Sequence, residues 1–170
     1  MARLEWSEAL ELDLPLMDDT HREFVDLLAA CEAAPTDIAL FEALIDHTDD
    51  HFGREDRWMA ETGFASGNCH ATQHAVVLKV LREGLTRARA GDLEPMQQMV
   101  IELAPWFSNH AQSMDASLSL HLRSVGYDPE SGQVLSPDAL PKQAISGCGG
   151  ACSDSASNDI GSDCETPAAA

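Results

Sequence analysis

Positive charge is scarce in this chain. Ten Lys and Arg stand against 29 Asp and Glu, a formal net charge of −19. A surface so acidic repels phosphate backbones, which argues against nucleic acid as a partner and for good solubility. Long apolar runs are also missing. No uncharged stretch approaches the roughly 20 residues that cross a bilayer, so membrane insertion is not expected. The opening Met1-Ala2-Arg3-Leu4-Glu5-Trp6 lacks the apolar stretch and cleavage site of a secretory leader. Cysteines number five, an odd count without the spacing of a disulfide framework, and a reduced, cytoplasmic setting is the simplest expectation. Aromatic residues make up 5% of the chain, and Val and Ile are sparse. That composition disfavours strands, whereas the abundant Ala, Leu, Glu, Met and Gln favour helices.

What is present is helical periodicity. Residues 1–17 read as an extended arm, because Pro15 disfavours helix there and Leu12, Leu14 and Leu16 alternate with other positions. A first helix is predicted to begin near Asp18–Thr20, with Thr20 and Glu23 at capping-box spacing, and to stop before Pro35. Thr36 is the candidate cap of a second helix reaching about Thr62, and Asn68 the cap of a third ending at Gly91. A fourth starts near Asp92–Pro95 and ends at Gly126, with Met99, Leu103, Trp106, His110, Met114 and Leu118 on its inner face and Pro105 predicted to kink it. Four amphipathic helices with short connections predict an all-α, antiparallel up-down-up-down bundle over residues 1–126. From 127 to 170 the chain turns to Gly, Ser, Ala, Asp and Pro, and it reads as a disordered tail carrying three cysteines.

The histidines carry the chemical information. His51 and Glu55 are one turn apart, as are His70 and His74, and each pair lies on its helix's buried stripe. His21 and His110 occupy the same kind of position on the first and fourth helices. Asp115 follows His110 by five residues, about 140° away in an ideal helix, so a local adjustment of that helix is needed to aim both inward. A lone buried histidine is usually a core residue with one hydrogen bond. Five together with two carboxylates are another matter, since each buried polar group needs a partner and a dry carboxylate is costly. A metal satisfies all seven at once. Imidazole and carboxylate without thiolate suit iron, zinc, copper or manganese. Seven ligands exceed the four that zinc usually takes and suit two octahedral ions sharing carboxylates, for which iron is the natural candidate.

The order His21, His51-Phe52-x-x-Glu55, His70-x-x-x-His74 and Trp106-x-x-x-His110-x-x-x-x-Asp115 resembles the hemerythrin and bacteriohemerythrin family. The lead-in Met17-Asp18-x-x-His21 and the opening Glu5-Trp6-Ser7 add to the likeness, which extends to about residue 125. The resemblance implies two irons with a bridging oxo or hydroxo group. It assigns His70, His74 and His110 to one iron, His21 and His51 to the other, and Glu55 and Asp115 to both. It further implies reversible binding of O2, held as hydroperoxide at the open position of the two-histidine iron, for carriage, storage or local supply. Phe52 and Trp106 are candidates to line that pocket. The chain departs from the family where Asp13 replaces the usual Gly, where Thr20 replaces Gln, in lacking a Pro near Ala65–Ser66, and in having Pro105.

Other polar residues have simpler readings. His47 is expected to pair with a carboxylate at the end of the bundle and His121 to serve a helix C-terminus. Cys31 and Cys69 read as small core or loop residues. In the tail, Cys148-Gly-Gly-Ala-Cys152, with Cys164 beyond, is a possible redox pair or soft-metal clip. Two further functions stay open: a di-iron enzyme acting as an oxidase or as a scavenger of peroxide or nitric oxide, and an oxygen or redox sensor signalling through the tail.

Overall fold

A computed structural model describes residues 4–147. Helices α1 (Pro15–Ala33), α2 (Ile38–Glu61), α3 (Cys69–Arg89) and α4 (Glu94–His110) form the bundle. A π-helical turn, Ala111–Asp115, carries α4 without a break into α5 (Ala116–Ser124), and together these make the fourth rod. The rods pack in a closed ring, with contacts α1–α2, α2–α3, α3–α4 and α4–α1, as the short connections require. Among the described residues no helix is long and apolar enough to cross a membrane.

Two helix starts differ from the sequence expectation. α1 begins at Pro15, not near Thr20: Pro occupies the first helical position, where its missing N–H costs nothing. The buried Asp18 carboxylate then accepts hydrogen bonds from the backbone N–H groups of Leu12 and Leu14, fixing the arm to the helix. Thr20 does not cap; its hydroxyl donates to Leu16 O. In the arm Glu8–Leu10 form a 3-10 turn, and Asp13 adopts a left-handed φ of 56°. Glycine suits that conformation best and Asp tolerates it, which accounts for the departure at this position. α2 is capped by Asp37, whose carboxylate accepts from the N–H groups of Ala39 and Leu40, not by Thr36. Asn68 caps α3 as expected, and α4 runs through Pro105.

Two apolar clusters fill the bundle. One gathers Phe24, Leu28, Phe41, Leu44, Leu81, Val100 and Phe107. The other, at the far end, gathers Leu14, Met17, Trp58, Met59, Leu118 and Leu122. On α1 and the fourth rod polar core residues lie between members of the two: His21 between Met17 and Phe24, and Asp115 between Phe107 and Leu118. Phe107 stacks on Phe24 at 4.3 Å between ring centroids and is 1% exposed. Phe107→Ala is therefore expected to destabilise the metal-free bundle by about 3–5 kcal/mol, read from urea unfolding.

The expectation of disorder from residue 127 is corrected for residues 127–147. Strands β1 (Tyr127–Asp128) and β2 (Gln133–Val134) pair antiparallel, Tyr127 opposite Val134. A 3-10 turn at Pro137–Ala139 follows, and Ile145 then bridges Phe64 in parallel. Composition misled here because a few contacts suffice: the Tyr127 hydroxyl donates to Glu61, and Val134 and Leu140 pack on the second cluster. Cys148, Cys152 and Cys164 lie outside the described residues. Of the two cysteines read as small core or loop residues, Cys31 is free and buried, whereas Cys69 is disulfide-bonded.

Candidate metal centre

Each rod delivers its share of the centre through its own local geometry. α2 presents His51 and Glu55 one turn apart, and α3 presents His70 and His74 in the same way. α1 supplies His21. On the fourth rod the π turn brings Asp115, five residues on, back over His110, and the two side chains meet at 3.1 Å. That turn is the local adjustment the spacing demands. None of these seven side chains belongs to a residue more than 4% exposed.

The seven form two sets that share both carboxylates. Ligand atoms of Glu55, His70, His74, His110 and Asp115 lie within 4.8 Å of one another, and so do those of His21, His51, Glu55 and Asp115. Glu55 turns Oε1 toward His51 Nε2 at 3.1 Å and Oε2 toward His74 Nε2 at 3.3 Å and His70 Nε2 at 3.5 Å. Asp115 turns Oδ2 toward His21 Nε2 at 3.3 Å and Oδ1 toward His70 and His110 Nε2 at 3.0 and 3.1 Å. Atoms about 2.1 Å from an octahedral ion are separated by about 3.0 Å when adjacent and about 4.2 Å when opposite, which these spacings match.

The polar atoms themselves call for a cation. His110 Nε2 lies 3.1 Å from both His70 Nε2 and His74 Nε2, an approach of ring nitrogens that a shared proton can satisfy only in part. His21 Nδ1 and Nε2, Glu55 Oε2 and both Asp115 oxygens are buried without a hydrogen-bond partner. Outside the cluster, His74 Nδ1–H donates to Asp56 Oδ1 at 2.9 Å and His110 Nδ1–H to Gln73 Oε1 at 3.3 Å. Both bonds direct the Nε2 lone pairs inward, as metal-binding imidazoles require.

In the absence of a cation, protons take its place. Burial and the nearby Asp115 push the Glu55 carboxyl up, but the facing imidazoles outweigh them and hold it well below the usual carboxylate range. Burial likewise opposes ionisation of Asp115, and His110, His21 and His70 reverse the effect. Burial lowers the His70 pKa, yet the facing carboxylates of Asp115 and Glu55 carry it to about 9. A metal entering the set must therefore displace protons. Asp56→Ala frees the far side of His74 and is expected to weaken iron binding about 10- to 100-fold, measured by competition with a chromophoric chelator.

Phe52 stacks on His74 at 3.9 Å and 8° and also lies 5.5 Å from the His51 ring, so it touches both histidine sets, while Trp106 stacks on His110 at 4.6 Å and 24°. The ring against His21 is Phe107, edge-on at 5.1 Å. Sequence reading missed it: Leu103, His110 and Leu118 of the expected inner stripe are buried, but Phe107 is buried where Trp106 was expected. Met96, Val100, Leu103 and Phe107 are buried, whereas Met99, Trp106 and Met114 are only half-buried. The spacing of that buried series was a usable signal. His47 pairs with a carboxylate as expected, but with Glu23 of α1 at 3.2 Å and not with its own neighbours. His121 donates to Thr62 O, the C-cap of α2.

Comparisons with known proteins agree with this geometry. Residues 12–119 match the family model of the hemerythrin HHE cation binding domain. The chain is 36% identical over 130 residues to a bacteriohemerythrin of Ralstonia nicotianae, covering 75% of this chain and 95% of that one. It is 26% identical over 145 residues to a bacteriohemerythrin of Stenotrophomonas maltophilia, covering 79% and 94%. Over 77 residues it is 27% identical to a myohemerythrin of Sipunculus nudus, covering 45% and 64%. No solved structure matches the chain.

Proposed function

The chain belongs to the hemerythrin family, and from that premise we propose that it binds dioxygen reversibly at a pair of irons held by His21, His51, Glu55, His70, His74, His110 and Asp115. The observation that carries the reading is the division of the two carboxylates, each with one oxygen toward the two-histidine set and one toward the three-histidine set. Two irons held by these residues would supply the electrons for reversible binding of dioxygen.

The chain's own residues do the rest. Glu55 and Asp115 bring two negative charges to a dry interior, and the five imidazoles add donors without adding charge. Asp56 and Gln73 orient their histidines. Phe107 and Phe24 keep the His21 side apolar and limit access by water, the condition under which bound oxygen leaves unchanged. Burial of the whole centre suits a diatomic ligand over a larger substrate, which favours binding over turnover of an organic molecule.

The test is the visible spectrum of the reduced, iron-loaded protein under nitrogen, in air and after degassing. A charge-transfer band that comes with air and goes with degassing is the expected result. Direct conversion to a stable oxidised spectrum would replace reversible binding with an oxidase or scavenging role.

A further inference from the structure

We propose that residues 127–147 act as a strap that clamps the loop leading into α3, and that its opening governs the access of water to His70 and the loss of metal from the three-histidine set. Consecutive residues 61–65, where α2 ends, receive the strap and the helix that carries it. The Tyr127 hydroxyl donates to Glu61, and His121 Nε2–H donates to Thr62 O at 2.9 Å. Ile145 N–H donates to Gly63 O at 3.0 Å, and Ala65 N–H donates to Ile145 O at 2.9 Å. Pro141 fills the space a side chain at residue 63 would need, since a Cβ on Gly63 would come within 2.4 Å of its ring. Phe64 bridges Ile145 and meets the His121 ring edge-on at 5.1 Å.

Hydrogen bonds carry this clamp on to the centre. The carbonyl of Ala65 accepts from Asn68 N–H at 3.2 Å and from Asn68 Nδ2–H at 3.1 Å. Asn68 Oδ1 in turn caps α3 by accepting from Ala71 N–H at 3.1 Å, and His70 lies in the turn so capped. The strap also covers a cavity of about 150 Å³ lined by Phe64, His70, Met114, His121, Ile145 and Gly147. Asp56 and Gln73 hold His74 and His110 from behind. His70 borders the cavity instead, so the strap decides whether water reaches that imidazole from outside.

The hold is light enough to open. From 141 to 147 only Pro141 and Ile145 are as much as half-buried. A segment with so few buried apolar contacts opens at a lower free energy than the bundle unfolds. An ion that needs His70 in place therefore favours the closed strap, and the closed strap by linkage favours the ion. The strap lies beyond residues 12–119, the part that matches the family model, and so is an addition to the matched bundle.

The clamp stands without a metal; its effect on metal retention rests on the di-iron reading. The test compares the full chain with Ile145→Pro and Ile145→Ala, all under a phosphine reductant so that the disulfide at Cys69 plays no part. Proline removes the donor to Gly63 O, whereas alanine keeps it and loses only the side chain over the cavity. In the metal-free protein, hydrogen exchange at the Ala65 amide, resolved by mass spectrometry, is expected to be roughly fivefold faster in Ile145→Pro, the worth of one hydrogen bond. Amides of α4 and helical circular dichroism are expected to stay unchanged. Iron is expected to slow exchange at Ala65 several-fold in the unaltered chain. Iron should pass to a chelator several-fold faster from Ile145→Pro, with Ile145→Ala in between. Should Ile145→Pro not fold, Ile145→Ala carries the same comparisons with smaller changes in the same direction. Unaltered exchange at Ala65 in the variants would overturn the clamp, and equal iron loss from all chains would overturn its hold on the metal. If no chain took up iron while the variants still loosened Ala65, the di-iron reading would fail and the clamp would stand.

Discussion

Glu55→Ala is expected to take iron binding from a pair per chain to almost none, measured as iron per protein after reconstitution and desalting. Glu55 is fully buried and faces His51, His70 and His74 together. Its loss removes half of the negative charge available to two cations in a water-poor interior, where no solvent replaces it. Neither histidine set escapes, because both include this carboxylate. The bundle itself should persist, since the two apolar clusters lie on either side of the polar layer and are untouched. Helical circular dichroism close to that of the unaltered protein, beside absent iron, is the expected pairing. A Glu55→Ala protein that kept its irons would show that the shared carboxylate is not a ligand.

The second large effect concerns the π turn. Inserting one Ala between Gln112 and Ser113 is expected to abolish iron binding, whereas deleting Gln112 is expected to preserve most of it. His110 and Asp115 are five residues apart and meet at 3.1 Å because the turn between them is wound wider than an α-helical turn. Deleting exposed Gln112 leaves a four-residue separation, which an ordinary α-turn aligns on one face. An insertion adds about 100° of rotation that no single turn absorbs, and it carries Asp115 or His110 off the core. Iron content and helicity of the two variants, measured side by side, separate this account from general damage to the fourth rod. If deletion and insertion were equally harmful, the turn would be doing more than aligning two ligands.

Much of the rest was legible because it is local. Capping by Asn68, the positive-φ stop at Gly91 and the i, i+4 pairs on α2 and α3 depend on neighbours within one or two turns, and sequence displays those directly. The starts of α1 and α2 were misjudged for a similarly local reason. Pro15 and Asp37 each have two legitimate roles, and the choice between them is made by where Asp18 and the preceding loop settle. Phe107 was harder, since Met99 and Trp106 offer an equally apolar stripe until neighbouring rods fix which face turns inward.

By itself the sequence determined the four rods, their antiparallel order, and the seven polar side chains that must share one interior, because burying them singly would leave each without a partner. The tertiary structure alone decided three things. It set which oxygen of Glu55 and of Asp115 faces which histidine set, since that depends on how α1 and the fourth rod meet α2 and α3. It set Phe52 between His74 and His51, Trp106 against His110 and Phe107 against His21. It also drew residues 127–147 onto the bundle, where few apolar groups suffice because the α2–α3 loop offers a ready-made ladder of backbone hydrogen bonds. Each is a matter of packing between segments far apart in the chain, which periodicity along one helix cannot encode.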